Sequence, residues 1–521
     1  MTTGSTSNPA ERPDVASAHP GPRGAPTSPP AVGAGRGRLE PLARGPLIAA
    51  MLALAAVLAA TSNAYGYHRD ELYFRMLDPA WGYVDQPPLT PLIARTLASI
   101  VDEPWFLHVP AILSAVAAVL VAALIAREVG GARRAQALAA WTAAASAFPI
   151  IFGHVLVTSS LDLVVWPLVC LFAIRALLRS DGRWWIAVGV VAGLASYNKL
   201  LVAVLLAGLG VGLLAFGPWR ELRSPWLWGG VAIAVVLALP NLACQVANDW
   251  PQSAMGAALA ENDGGETRWL MWPMLLLLVG PLLVPVWVAG LVGLFRRRAW
   301  RDIRLLVGAL VVALVFTFVG SSQFYYPLGV VQVLLALGCV PVAEWMRTRA
   351  RRAVVWAAVA VNGAISAVIA LPLVPVDVVG ATSLPAINQV TRDTVGWPEY
   401  VQQVADVAAD VPGDPPIVAA NYGEAGALDR FGPALGVSAD RVFSGHNELW
   451  FAARPTDGAD AAIFVGYSPA FVGPLFESCE VRRLLDNDVD VDNEEQRLPI
   501  TVCTGMRMPW SEAWPRFAHL D

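Results

Sequence analysis

The sequence predicts a mainly α-helical, polytopic membrane protein of about 11 transmembrane helices with a C-terminal extracytoplasmic α/β domain. Of the 521 residues, 56% are hydrophobic and only 15% are charged, whereas soluble domains carry about 25% charged residues. Long apolar runs recur between residues 45 and 371, and each predicts a bilayer-crossing helix. After residue 371 the chain becomes more polar and strongly acidic.

Arginine predicts the orientation of the spans, because cytoplasmic loops retain positive charge. Arg-rich loops alternate along the chain with loops that carry few cations. This alternation predicts a multi-pass protein of the cell (plasma) membrane whose N-terminus is cytoplasmic and whose C-terminal domain is extracytoplasmic. The predicted spans are 45–64, 105–126, 136–156, 160–178, 185–197, 200–217, 226–246, 269–294, 305–320, 325–345 and 353–371.

Composition divides the chain into three regions. Residues 1–44 are rich in Pro, Gly, Ser and Ala and predict a disordered cytoplasmic tail without the apolar core of a signal peptide. Residues 45–371 are the predicted transmembrane domain, with a first outer loop at 65–104. Residues 372–521 contain 22 Asp and Glu and 9 Arg, a net charge of −13. We therefore expect a soluble acidic domain there and no nucleic-acid partner.

The C-terminal region alternates strand-like and helix-like segments. PPIVAANY and AAIFVGY predict buried strands, and PEYVQQVADVAADV predicts an amphipathic helix. In NYGEAGAL a strand is expected to end in a turn that starts a helix, which suits an anionic or hydroxyl-rich ligand and equally an ordinary turn. Cys479 and Cys503 are expected to form a disulfide in an oxidising compartment, with two free thiols as the alternative.

Polar residues gather where the topology places the outer ends of the spans. Asp70 and Glu71 follow span 1 within YGYHRDELYF, and paired carboxylates beside a membrane are costly unless solvated or used. Lys199 is the only lysine of the chain, and its compact ammonium suits a phosphate. The candidate site residues are His68, Arg69, Asp70, Glu71, Tyr73, Asp85, Gln86, His154, Asp162, Lys199, Gln323, Tyr325 and Tyr326.

Each of these residues also has a structural explanation. Asp162 in SSLD fits a helix cap, and Lys199 fits a side chain that reaches for the membrane interface. His154 fits a satisfied buried polar residue, and the aromatics around Asp70 fit an interfacial belt. The convergence of all these groups on one side of the membrane favours a functional site.

The segment DPAWGYVDQPPLTPLIARTLASI extends the first outer loop. Pro87 and Pro88 predict an extended turn. The apolar stretch 89–100 is too short to span a bilayer, so it predicts a helix at the membrane surface. A loop of this kind suits a substrate that has a polar head and a lipid tail.

These motifs resemble the polytopic glycosyltransferases with the C-type fold, in particular protein O-mannosyltransferases and the aminoarabinose transferases that modify lipid A. The resemblance lies in the acidic pair, the carboxylate–X–Pro-Pro-Leu element, SSLDLVVWPL, GLASYNKLL and SSQFYYPLGVVQVLLALG, and it covers roughly residues 45–345. NYGEAGALDRFG, SGHNELWF and DVDNEEQRLPITVC resemble the outer domain of an actinobacterial-type subgroup.

The resemblance implies transfer of a sugar from a polyprenyl-phosphate donor to a glycan, lipid or protein acceptor on the outer face, usually with inversion. Asp70 would be the general base, Glu71 and Asp162 would support it, and Lys199 would hold the donor phosphate. Some members carry a lysine where this chain has Gln86, so Arg69 or Arg75 would share the phosphate. No organic cofactor is implied, although Asp70, Glu71 and Asp162 offer oxygen ligands to a divalent cation.

Two other classes compete with this hypothesis. A lipid or small-molecule transporter or flippase would place ionisable residues at mid-membrane on broken helices, whereas the candidate residues cluster at one face. A non-catalytic envelope scaffold would tolerate the loss of Asp70.

Overall fold

A computed structural model describes residues 39–262, 264–320 and 323–520. The predicted disordered tail lies outside these residues up to residue 38. Seventeen helices are described before residue 371: α1 (Arg44–Thr61), α2 (Arg69–Met76), α3 (Leu89–Ala98), α4 (Pro104–Leu107), α5 (Val109–Glu128), α6 (Arg133–Ala144), α7 (Ala147–Gly153), α8 (Thr158–Leu178), α9 (Trp184–Ala195), α10 (Val202–Phe216), α11 (Pro225–Ala247), α12 (Pro251–Asn262), α13 (Gly264–Val279), α14 (Val284–Arg296), α15 (Leu305–Gly320), α16 (Leu328–Trp345) and α17 (Arg349–Ala370).

Within the described residues, six helices are long and apolar enough to cross a membrane, and the number rises to eight if two bent helix pairs are counted as spans. The bent pairs are α6–α7, at 54°, and α13–α14, at 80°. Three further predicted spans coincide with α9, α10 and α15, which have only 12, 15 and 16 residues. The multi-pass architecture is therefore confirmed, while the count of 11 spans stays a prediction.

The short helices pack closely through glycine. A Cβ atom added to Gly212 of α10 would lie 2.1 Å from the carbonyl oxygen of Leu305 on α15, and one added to Gly189 of α9 would lie 2.1 Å from that of Gly230 on α11. Small residues allow such backbone contact between membrane helices. These contacts hold α9 and α10 on either side of the turn that carries Lys199.

The Arg-rich loops meet at one end of the bundle, which we call the arginine end. Arg179 pairs with Glu128, Arg220 with Asp302, and Arg297 with Glu344. The predicted alternation of loops therefore corresponds to a real clustering in three dimensions.

The C-terminal region is an α/β domain, as predicted. Its sheet has the strand order β2-β1-β3-β5-β4; β1, β2 and β3 are parallel, and β5 runs antiparallel to its neighbours β3 and β4. Cys479 and Cys503 are cross-strand partners on β4 and β5 and form a disulfide. The elements are α18 (Val376–Val379), α19 (Leu384–Ile387), α20 (Gln389–Arg392), α21 (Trp397–Ala409), β1 (Ile417–Ala419), α22 (Tyr422–Phe431), β2 (Val442–Ser444), α23 (Leu449–Ala452), β3 (Ala461–Val465), α24 (Pro469–Val472), β4 (Phe476–Leu484), β5 (Pro499–Met506) and α25 (Trp510–Ala513).

The domain shares a hydrophobic core with the first loop. Leu72 and Tyr73 of α2 belong to the same buried cluster as Trp397 and Leu428 of the domain. Helices α2 and α22 touch backbone to backbone, because a Cβ atom on Gly426 would lie 2.6 Å from the carbonyl carbon of Leu72. Helix α2 is thus part of the domain's interior rather than a solvated loop.

Candidate active site

A cavity of about 210 Å³ lies where α2 meets both the bundle and the domain. The bundle contributes one wall and the domain the opposite one, with the first turn of α2 between them. Half of the wall is apolar and half carries polar side chains. The lining residues are His68, Arg69, Asp70, Ile151, Phe152, Val157, Thr158, Ser159, Met274, Leu278, Gln323, Phe324, Tyr325, Ile387, Asn388, Gln389, Val390, Asp393 and Tyr422.

The first turn of α2 is fixed by its own side chains. His68 is the N-cap, and its Nδ1 accepts a hydrogen bond from the backbone N–H of Asp70. Glu71 accepts from the backbone N–H of His68 at 2.9 Å, which completes a capping box. The cap holds Asp70 at the cavity.

Glu71 points away from the cavity and is fully buried. Its carboxylate accepts from the backbone N–H of Leu156 at 2.6 Å and lies 3.0 Å from Nε2 of His108. Burial alone would raise the pKa of Glu71, but His108 and the backbone N–H donors hold the pKa below its usual value. The structure therefore makes Glu71 a support that ties α2 to the bundle.

Asp70 faces the cavity and is joined to the domain. Tyr422, the first residue of α22, donates a hydrogen bond from its hydroxyl to Oδ1 of Asp70 at 3.0 Å. The guanidinium of Arg69 stacks over the Tyr422 ring, 4.8 Å from its centroid, and pairs with Glu494. Arg69 is only 7% exposed, and its Nε has no hydrogen-bond partner among the described residues.

Lys199 and Asp162 lie behind the bundle wall. The ammonium of Lys199 donates to Oγ of Ser159 at 3.2 Å and lies 4.5 Å from the Tyr326 ring centroid. Asn198 donates to Asp162 at 3.3 Å. Ser159 and Tyr325 line both the main cavity and the small pocket that contains Asp162 and Tyr326. These two residues connect Lys199 to the main cavity.

Besides Glu71, Asp162, Lys199 and Tyr326, four more predicted site residues do not line the cavity. His154 is buried with its ring 5.2 Å from that of His108. The Tyr73 hydroxyl accepts a hydrogen bond from the backbone N–H of Glu448 of the domain at 3.2 Å, and Gln86 donates to Asp85 at 3.2 Å. Burial, together with the charge of Glu448, raises the pKa of Asp85 to about 7.

Arg75 is engaged elsewhere and is not available to a phosphate. Its guanidinium pairs with Asp102 at 2.7 Å and with Asp429 of α22 at 2.6 Å.

The domain supplies site residues that the sequence analysis did not select: Tyr422, Asn388, Gln389 and Asp393. Tyr422 stands in the quoted stretch NYGEAGAL, where the strand–turn–helix prediction is confirmed by β1 and α22. The N–H groups of Tyr422 and Glu424 are bonded to His446 and Asn421. The turn is therefore an ordinary helix N-terminus whose N–H groups are capped by side chains.

No three His, Cys, Asp or Glu side chains of the described residues are placed to hold one metal ion. Glu71 in particular directs its oxygens to His108 and to backbone N–H groups. The arrangement thus lacks the three-carboxylate ligand set considered for a divalent cation.

Two solved structures share the fold of this chain. The fold matches ArnT from Cupriavidus metallidurans bound to undecaprenyl phosphate with a TM-score of 0.56 and 16% identity, covering 87% of this chain and 97% of that one. It also matches the arabinofuranosyltransferase AftD from Mycobacteria with a TM-score of 0.51 and 15% identity, over 90% of this chain and 40% of that one. At 16% and 15% identity these two matches show a shared fold.

A sequence match to a protein family covers part of the chain. Residues 85–243 match the model of the dolichyl-phosphate-mannose-protein mannosyltransferase family. A search of curated proteins by sequence finds no match. Over residues 85–243 the family match agrees with the resemblance seen in the motifs.

The buried carboxyl of Glu424 predicts a pH-dependent stability of the domain. Burial, reinforced by Glu495, raises the pKa of Glu424 to about 8. A raised folded-state pKa means that stability is greatest below the unfolded pKa near 4.5 and falls as the pH rises towards 8. Glu424→Gln should flatten this fall and raise Tm at pH 8. The measurement is Tm from thermal unfolding at pH values from 5 to 8, and Glu399→Gln, at an exposed position, is the control. If Tm falls equally steeply with pH in both variants, Glu424 is not the group responsible.

Proposed function

We propose that the protein transfers a sugar from a polyprenyl-phosphate donor to an acceptor hydroxyl at the outer face of the cell membrane. The observation that carries the proposal is Asp70, a carboxylate fixed at the wall of a half-apolar cavity in a chain that shares its fold with ArnT and AftD. The ArnT structure with undecaprenyl phosphate supports a lipid phosphate as the donor carrier.

The transfer step needs a positioned nucleophile and a base. The acceptor oxygen attacks the anomeric carbon while the bond from that carbon to the phosphate oxygen breaks. The electron pair of the broken bond goes to the phosphate, and the hydroxyl proton goes to the carboxylate of Asp70. Attack from the face opposite the phosphate inverts the anomeric carbon.

The bundle wall suits the donor. Met274, Leu278 and Phe324 give an apolar surface for the isoprenoid chain. Lys199, held beside Ser159, supplies positive charge near the cavity. A fixed cation stabilises the charge that develops on the leaving phosphate.

The arginine end supports the proposed orientation. This end would be cytoplasmic, since positive loops remain inside, and the cavity with the domain would then be outside. An alkaline phosphatase reporter fused after residue 372 should be active, because the enzyme needs an oxidising compartment, and the same reporter inserted in loop 296–304 should be inactive. The reverse pattern would overturn the orientation.

Asp70→Asn should reduce transfer by at least about a hundredfold, because a general base contributes roughly 10² to 10⁴ in rate. The variant should still fold, because the side-chain carbonyl of asparagine can accept the hydrogen bond from the Tyr422 hydroxyl. Glu71→Gln should instead lower Tm and protein yield, because an amide group would face the donors around Glu71.

The measurement for both variants is complementation of a deletion strain. Envelope glycans and glycolipids are profiled by mass spectrometry, and Tm is measured on the purified variants. Asp78→Asn, an exposed carboxylate in the same loop, is the control. Normal glycan profiles in cells carrying Asp70→Asn would reject Asp70 as the base, and an unchanged profile in the deletion strain would reject the proposed function.

Lys199→Ala should mainly weaken binding of the donor, seen as a raised KM for the polyprenyl-phosphate sugar, and Lys199→Arg should retain part of the affinity. Both results are expected because the positive charge of Lys199 acts on the donor phosphate rather than on the acceptor. Kinetics against donor concentration measure the effect. A donor KM equal to that of the wild type in Lys199→Ala would show that Lys199 serves the membrane interface only.

A further inference from the structure

We propose that the domain wall of the cavity is the acceptor subsite, and that it accepts an uncharged hydroxyl-bearing molecule and rejects a phosphorylated one. The subsite comprises Gln389, Asn388 and Asp393, with Tyr422 as a positioning residue for Asp70. This inference rests on the proposed function and deepens it by assigning the acceptor to one wall and to one chemical class.

The two walls differ in chemistry. The bundle wall is rich in apolar side chains and has the chain's single ammonium behind it. The domain wall presents amide and carboxyl groups from the segment 384–393, which links the last membrane helix to the domain. Asn388 anchors this segment by donating to the carbonyl of Ile369 at 3.0 Å. Gln389, its exposed neighbour, lines the cavity.

The position of Asp70 indicates which wall binds the acceptor. A base must meet the acceptor hydroxyl, and Asp70 is bonded to the domain through Tyr422. The Tyr422 ring is itself covered by Arg69 and lies 4.8 Å from the rings of Tyr73 and His446. Its hydroxyl is therefore held in place, and it orients the carboxylate of Asp70 instead of stacking on a sugar.

Charge selects the acceptor class. Asp70 and Asp393 line the cavity, Glu494 pairs with Arg69, and Arg392 pairs with Asp393 at 3.6 Å. A phosphorylated acceptor would meet carboxylates whose neighbouring cations are already paired. The negative phosphate and the carboxylates would then repel each other. A neutral hydroxyl can instead accept from the buried, unpartnered Nε of Arg69 and donate to a carboxylate.

Site-specific photo-crosslinking in cells tests the assignment. Gln389→p-benzoylphenylalanine probes the domain wall and Met274→p-benzoylphenylalanine the bundle wall. The same change at Gln402, which is exposed on α21, is the control. Adducts are identified by mass spectrometry. We expect a neutral glycan or an uncharged peptide at 389, a polyprenyl phosphate at 274, and neither at 402.

Two results overturn the inference: a polyprenyl phosphate adduct at 389, or a phosphorylated acceptor adduct there. Failure of the proposed function is scored separately, as an unchanged envelope profile in the deletion strain.

Tyr422→Phe gives a second readout. Loss of one hydrogen bond should reduce product roughly threefold to tenfold, while adduct yield at 389 in the same background stays unchanged. A parallel loss of the adduct would contradict a positioning role.

Discussion

Close packing of α2 against α22 is the constraint on which the site depends. Gly426 lets the two helices meet backbone to backbone, and a side chain at that position would separate them. Because Asp70 lies in the first turn of α2 and Tyr422 begins α22, the same contact brings the proposed base to the domain. The salt bridges of Arg75 and Arg430 lock the far ends of the two helices. The domain is thereby a structural part of the site and not an appendage.

The adjacent carboxylates Asp70 and Glu71 illustrate how a helix separates two roles. Successive residues of a helix point about 100° apart, so one side chain faces the cavity and the other faces the bundle. The buried one is satisfied by His108 and by backbone donors, which is the condition for an ionised group in an apolar interior. Asp70, which is partly exposed at the cavity, keeps an oxygen available for chemistry.

Lys199 depends on a different constraint. Helices of 12 and 15 residues are shorter than the roughly 30 Å of a bilayer core requires, and the turn between them brings the ammonium to the level of Ser159. Ser159, Asp162 and the rings of Tyr325 and Tyr326 surround the ammonium. The transfer geometry we propose thus needs both the glycine contacts of the bundle and the helix contact of the domain.

The sequence by itself determined the multi-pass helical architecture and the C-terminal α/β domain. Apolar length, arginine alternation and the motifs around Asp70, Asp162 and Lys199 act locally or through composition, and the family of residues 85–243 agrees with them. Tertiary structure decided which polar residues share the cavity. Tyr422 and Gln389 lie more than 300 residues from Asp70 along the chain, so no local pattern pairs them with Asp70. Tyr73, Asp85 and His154 fit the motifs but point elsewhere, because side-chain direction follows from packing.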